Sequence, residues 1–453
     1  MSEREILISG SGIAGLVLAW WLERYGFRPT IIEKSAELRT GGHAVDLWGT
    51  ALDILEQMGL LAALEARRTQ NDLGVMISPG LRPREIDLAE ISREFAPRQI
   101  EIMRGELVSA LEQNISSRVD IIFDNSISSI DERAGGLTVT FEKGGSCDFS
   151  LVVGADGQHS NVRRIGFGEE ARFSHYLGGY ICGYTIPAVR ELQGRLYRYV
   201  VPNKTVVVFP IHQSEEIAVA FLFRRPNMLN LHHEDFDAQV RVLRETFSRE
   251  SWKVPHLLDR LDCASGFYFD AISQIVMPSC LRGRIALVGD AGYCPAPAVG
   301  GGTSLAVIGA YILAGELAEA SGDHRRGLQN YQDAVRCLVA QSRAIGPAVM
   351  ASLLPRSNTS IWTGMLVLPL LLNLPSAIRH RVPLLPRQAR RAMRAVSQTP
   401  IKQYRSPMAA SEAPAGSGCL TAAPRMITAA WPSNSIRRNR IWQALPFESR
   451  WRR

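Results

Sequence analysis

Residues 5–33 read EILIS-GSGIAG-LVLAWWLERYGFRPTIIE, and their order decides the fold. Glu5–Ser9 is a short apolar run. Gly10-x-Gly12-x-x-Gly15 follows at once, Ile13 to Tyr25 keep helical spacing up to Gly26, and Pro29–Glu33 is a second short run with β-branched residues. Strand, glycine turn, helix and strand in that order open a doubly wound α/β domain. The same context turns a weak glycine pattern into a dinucleotide fingerprint. Gly10 allows the tight turn, Gly12 lets the backbone approach a pyrophosphate, and Gly15 lets helix and strand pack closely. The helix start, with Ile13 and Ala14, offers unpaired N–H groups and a positive dipole end to phosphates. Glu33, with Lys34 after it, ends the second strand where an acid accepts ribose hydroxyls. The turn by itself does not separate FAD from NAD.

Outward from that segment, the chain has 453 residues, room for two domains sharing a large core. Its formal charge of +7 comes from the C-terminal end: residues 398–453 hold nine Lys/Arg against two Asp/Glu, and 376–397 add six Arg and no acid. Residues 1–375 carry 36 basic and 42 acidic side chains, so the body gives no reason to expect a nucleic-acid partner. Seven scattered cysteines without a C-x-x-C pair argue against a disulfide framework and a zinc site. The first apolar run leads into a glycine turn rather than a secretory signal, and no apolar stretch reaches 18 residues. The expectation is a cytoplasmic protein in a reducing setting.

Helices are expected near Thr50–Met58 and within 101–113, the latter after a strand. Asp120–Phe123, Leu137–Glu142 and Phe149–Val153 read as strands. Residues 172–225, rich in Tyr, Phe, Val and Ile, read as a second, largely antiparallel sheet. Arg284–Val288 is another short strand, followed by a Gly/Pro-rich loop and a helix from about Gly302 to Ala320. No internal repeat is evident. Two further segments, Leu151 to Arg164 (LVVGADGQHSNVRR) and Arg284 to Gly302 (RIALVGDAGYCPAPAVGGG), each run from an apolar strand through Gly to an Asp. Ligands bind at strand carboxyl ends in open α/β sheets, so Asp156 and Asp290 sit where a cofactor would be.

With these three motifs the chain resembles the single-component FAD-dependent aromatic hydroxylases, the p-hydroxybenzoate hydroxylase-like family, and within it most of all the tetracycline-inactivating monooxygenase branch. The resemblance spans roughly residues 4–345. It rests on Gly10-x-Gly12-x-x-Gly15, on Gly154-Ala-Asp156-Gly157 with Ser160 and Arg163, and on Gly289-Asp290-Ala291 with Pro297 and Gly300-x-Gly302. It implies a Rossmann-like FAD-binding domain (1–72, 101–171, 276–345) and an inserted, mostly antiparallel β-sheet substrate domain (73–100, 172–275); beyond its reach, 346–397 read as a C-terminal helical segment and 398–453, rich in Ala, Ser, Pro and Arg without periodicity, as a disordered basic tail.

It also implies roles. Asp290 resembles the Asp that hydrogen-bonds the FAD ribityl chain. Asp156-Gly157 resembles the element that touches FAD and is implicated in NAD(P)H binding. Arg104 resembles an Arg before a helix near FAD, Arg39-x-Gly41-Gly42 matches the loop near the isoalloxazine, and Asp46 is a further candidate. The Gly300–Gly302 loop offers backbone N–H groups to the negative charge of reduced flavin near N1 and C2. The implied reaction is hydroxylation of a small aromatic or polyketide-like substrate. NAD(P)H reduces FAD, O2 adds at the flavin C4a carbon, and the hydroperoxide delivers oxygen. No individual catalytic side chain is assigned, and no metal.

The alternatives are an epoxidase or ring-opening oxygenase on the same scaffold, or an FAD-binding interaction protein with little turnover. Tyr180, Tyr184, Arg198, Tyr199 and Phe209 are candidates for the substrate wall, with core packing the competing reading for each. The chain departs from the family at Gly292-Tyr293, where Ala-His is usual, at Gly309, where an Asp is usual, and at Ser304, where Asn is common. Ile361–Leu374 followed by the arginines up to Arg394 reads either as a helix packed on the FAD domain, the favoured reading, or as a weak contact with a membrane surface. Pro369 and Pro375 are expected to break that run.

Overall fold

In the computed structural model, residues 4–38, 41–89, 98–231, 235–298, 300–372, 397 and 400–404 are described, with the backbone alone for 368–372. Arg39, the arginine-rich stretch beyond residue 372 and the tail beyond 404 lie outside the described residues.

The βαβ opening forms as expected: β1 (Glu5–Ser9), α1 (Ile13–Arg24) and β2 (Arg28–Ile32). A six-stranded sheet grows around it in the order β17-β18-β11-β1-β2-β7, with β7 (Asp120–Ile122), β11 (Leu151–Gly154), β17 (Leu281–Arg282) and β18 (Ile285–Leu287). All neighbours are parallel except β17 with β18. A three-stranded antiparallel sheet follows, of β8 (Ile127–Arg133), β9 (Gly136–Phe141) and β10 (Ser146–Phe149). The strand reading of 119–153 missed β8, whose outward face carries Ser, Asp, Glu and Arg and so lacks an apolar signature.

The helix α1 is buried from Ile13 to Leu22 because it lies between the sheet and another helix, α9 (Gly302–Glu319), itself buried all round. Trp21 meets Tyr311 of α9 edge to face at 4.8 Å. A hairpin-like pair, β3 (Ala44–Trp48) and β6 (Gln99–Met103), flanks α2 (Gly49–Gln57), α3 (Leu61–Ala66) and α4 (Arg104–Gln113).

The second sheet has seven strands in the order β16-β12-β15-β14-β13-β4-β5. These are β4 (Leu73–Ile77), β5 (Arg84–Asp87), β12 (Ser174–Pro187), β13 (Leu196–Val201), β14 (Lys204–Pro210), β15 (Glu216–Arg224) and β16 (Ser265–Ile275). Its pairs are antiparallel except β4 with β13, so the largely antiparallel expectation is borne out. Period-two alternation gives it two faces. One packs on α6 (Phe236–Phe247) and α7 (Val254–Asp259) through Tyr180, Tyr184, Tyr199, Phe221 and Phe223. The other carries Ile181, Leu196, Val207, Phe209, Leu222 and Tyr268.

Between the two sheets runs α10 (His324–Leu353), which buries Leu328, Tyr331 and Val335 in the first core and Ile345 and Met350 against the second sheet. Its last carbonyls accept hydrogen bonds from that sheet: Arg198 Nη2 to Ser352 O (2.6 Å), Arg224 Nε to Leu354 O (2.8 Å) and Arg224 Nη2 to Met350 O (3.0 Å). Two guanidinium groups thus meet the negative end of a 30-residue helix.

Two expectations for the C-terminal part are corrected. Pro369 does not end the apolar run, which forms one helix, α11 (Asn358–Leu372). This helix packs not on the FAD-binding part but on the second sheet, where Ile361 and Met365 meet Val200, with Met76 alongside. The reason is reach: Pro355 O accepts from Asn203 N at 2.8 Å, so the helix begins already pinned to the β13–β14 turn. No single helix among the described residues is long and apolar enough to cross a membrane; α10 and α11 would do so only as a pair bent by 95°.

Candidate functional site

Sheet register brings the three motifs to one edge. Ser9 pairs with Gly154, and Gly154 with Leu287, so β1, β11 and β18 stop level. The ladder continues one step beyond each: Ala155 N donates to Ser9 O (2.8 Å), Val288 N to Gly154 O (2.9 Å) and Gly10 N to Ile32 O (2.8 Å). The Gly10 turn, the Asp156 segment and the Asp290 segment therefore emerge side by side.

The glycines there are required. Gly10 has φ +103°, and a Cβ on it would lie 2.6 Å from Ala155 O. A Cβ on Gly15 would lie 2.0 Å from Gly10 O, which is the close helix–strand approach expected of the third glycine. Gly12 differs. Its φ is ordinary, and a Cβ would meet only Arg104 Nη2, at 3.9 Å.

Arg104, the first residue of α4, faces the Gly12 turn from the other side, and Ser11, Gly12, Glu33, Arg104 and Val108 line one cleft. A Cβ on Gly42 would touch the Arg104 side chain at 3.4 Å, so the Gly41-Gly42 loop joins this wall. Glu33 accepts from Ser11 N (2.9 Å), Ser11 Oγ (2.8 Å) and Ser35 N (3.0 Å). Burial alone would raise its pKa, but these donors hold it below the ordinary carboxylate range. Lys34 is exposed on the turn that follows, while Ile13 and Ala14 are buried in the first turn of α1.

Asp290 opens α8 (Asp290–Tyr293), close to Gly302. Burial raises its pKa, while Cys294 and Arg104 pull it back. Asp156 is committed locally: it accepts from Ser160 Oγ and from Val162 N (3.0 Å) at the start of α5 (Asn161–Phe167), and Gly157 beside it has φ +81° with open space around it. Asp46 faces Glu101 across the β3–β6 ladder. Burial, then that like charge, push its carboxyl up to about 7. Neighbouring His43 is pushed down to about 4 by burial and by Arg104.

On either side of residue 299 the backbone takes left-handed conformations. Ala296 and Ala298 have φ of +107° and +65°, beside Gly300 and Gly301 at +84° and +76°; Pro297 lies in the turn between the two alanines. Such conformations persist in alanine where the surroundings over-determine the backbone. At this edge α1, α4 and α9 begin without a side-chain cap, as α2, α3 and α7 also do, while α5 beside them is capped by Ser160. Three uncapped helix starts beside glycines suit an extended anionic ligand. Sequence reasoning missed Ser11, His43, Trp48 and Glu101. Ser11, inside the fingerprint, was the only one of these with a local signal.

The substrate-wall candidates divide by sheet face. Tyr180, Tyr184 and Tyr199 belong to the α6–α7 core, with hydroxyls satisfied by Leu229 N, Leu257 O and Glu250. For these three the core reading holds. Leu196 and Phe209 face the other way, toward Ala296 and Ala298, and Arg198 shares the Leu196 side of β13.

This arrangement defines an α/β dinucleotide-binding protein, and comparison with known proteins gives its family. A family model described as an FAD binding domain matches residues 3–342. A flavin-dependent monooxygenase of Legionella longbeachae is 37% identical over 359 residues, covering 79% of this chain and 91% of its own. Two solved structures are similar throughout. Tetracycline destructase Tet(55) is 33% identical, with 89% of this chain and 100% of that one covered at a TM-score of 0.74. Tet(51) is 30% identical, with 88% and 100% covered at 0.75. The chain belongs to this FAD-binding family, and the resemblance read from its three motifs, with its tetracycline-inactivating branch, is borne out.

Proposed function

We propose that the protein is an NAD(P)H-dependent FAD monooxygenase acting on a small aromatic or polyketide-like ring. The observation that supports this most is the meeting of three level strand ends and three uncapped helix starts with the face of the second sheet that carries Val207 and Phe209. FAD, when bound, supplies the redox chemistry: NAD(P)H provides two electrons, one atom of O2 enters the substrate and the other leaves as water.

In this reading Gly10, Gly12 and Gly15 leave the N–H groups at Ile13 and Ala14 open to the pyrophosphate. Glu33 offers its carboxylate to ribose hydroxyls, and Lys34 stays peripheral. Arg104 and Asp290 flank the ribityl chain, and Asp156-Gly157 shapes the wall beside it. Gly41, Gly42 and Asp46 border the flavin ring, and Gly300 and Gly302 present N–H groups to its pyrimidine end, with Pro297 in the turn that leads to them.

Arg198 and Phe209 then form part of the substrate wall. Burial lowers the Arg198 guanidinium to about 10, so it is charged at neutral pH, and its Nε has no partner among the described residues. Its guanidinium, held on the last carbonyls of α10, places a positive charge behind this wall, which suits a phenolate or enolate on the ring, and the destructase neighbours fit such a substrate class. The test is turnover under isotope-labelled O2. One labelled atom in the product supports the reading, and label recovered only in peroxide and water contradicts it.

A further inference from the structure

A loop with three consecutive glycines at Gly300–Gly302 is costly to fix in one conformation. Something other than its own side chains must hold its N–H groups in place. The structure supplies Trp48. A Cβ on Gly301 would lie 2.9 Å from the Trp48 ring, and one on Gly300 would lie 3.5 Å from it. The indole is a wall against which this loop is laid, and it is 5% exposed.

Trp48 is in turn fixed by the helix that the loop leads into. Trp48 N donates to Ser304 Oγ at 2.9 Å, and Ser304 Oγ donates to Asp46 O at 3.3 Å. Ser304 is fully buried in the first turn of α9. A closed circuit results, running from the ring of Trp48 to the loop, through Gly302 to Ser304, and back to the backbone of Trp48. Ser304 is also where this chain departs from the Asn common in its family. Its hydroxyl accepts one bond and donates another, which satisfies an N–H and a C=O on the edge of β3 that no strand pairs.

We propose that Trp48 and Ser304 are positioning residues that template the Gly300–Gly302 loop for the flavin ring and couple it to the strand bearing Asp46. This rests on the reading that the loop receives the flavin. Neither side chain takes part in the chemistry. Each acts by limiting the conformations of the backbone donors, so that affinity for FAD and the stabilisation of reduced flavin both depend on them.

The test uses the full-length protein stripped of FAD and titrated with it, and the midpoint potential of the reloaded protein. Ser304→Ala and Trp48→Ala are each expected to weaken FAD binding about tenfold, through a stranded N–H in one and a lost wall in the other. Both should move the midpoint potential to more negative values, a readout that a loss of stability alone would leave in place. Ser342→Ala, at another buried serine whose Oγ has no partner among the described residues, should change neither. Should an alanine variant fail to fold, Trp48→Phe carries the same two readouts with a smaller ring. Variants that bind FAD within twofold of the parent at an unchanged potential overturn the proposal. A parent protein that takes up no FAD overturns the cofactor reading first, and the proposal with it.

Discussion

The Tyr293 hydroxyl occupies the space that a side chain at residue 309 would need: a Cβ on Gly309 would lie 2.0 Å from Tyr293 Oη. The hydroxyl is held there by Tyr331 Oη (3.0 Å), which itself donates to Leu287 O (2.8 Å) on β18. Two departures from the family pattern, Tyr for His and Gly for Asp, are therefore one exchange. Gly309→Ala should cost about 1–3 kcal/mol by overpacking. Much of that should return in the double variant with Tyr293→Phe, and additive melting shifts across the four proteins would contradict the coupling.

The cofactor turn is equally specific. Gly10→Ala meets the Ala155 carbonyl at 2.6 Å with φ at +103°, so it should abolish FAD retention. Asp290→Ala should weaken retention while leaving the fold intact, because its carboxylate is not needed to close the turn. Flavin content per chain after gel filtration reads both.

How much of this was legible in the sequence depends on whether the signal was local. Gly10, Gly12 and Gly15 with Glu33 were readable because backbone geometry dictates residue type over a few positions. Helix α9 was readable from its apolar run. The tyrosines were not: Tyr184 and Phe209 look alike in composition, and only sheet register assigns them to opposite faces. Nor was the destination of residues 400–404. Lys402 Nζ and Tyr404 Oη both bond the buried Glu316 of α9, each at 3.0 Å, in a contact spanning more than 80 residues. Gly315 provides the notch for the Tyr404 ring.

That contact carries a prediction. A chain ending at residue 396 strands the Glu316 carboxylate with Asn330 as its remaining partner, and should lose about 1–3 kcal/mol of stability. Glu316→Gln should recover part of the loss in the shortened chain and destabilise the full one. Equal denaturant midpoints for long and short chains would refute it.

Asp46 predicts a pH dependence. An unfolded aspartate titrates near 3.8 and the folded one near 7. Between these values the folded chain holds a proton that the unfolded chain has released, so this group lowers stability as pH rises through the window. Relative to the parent, FAD-free Asp46→Asn should gain thermal stability progressively from pH 4 to 7 and hold the gain above. A gain independent of pH would show that the carboxyl is not shifted.

Oxygenation of a ring substrate by the FAD-loaded protein is read from NADPH consumption in air across a panel of phenols and polycyclic polyketides. One chemical class is expected to accelerate consumption about tenfold or more and to be recovered one oxygen heavier. A fully flavin-loaded protein that consumes NADPH at the same rate with and without every compound is not a ring oxygenase of this kind.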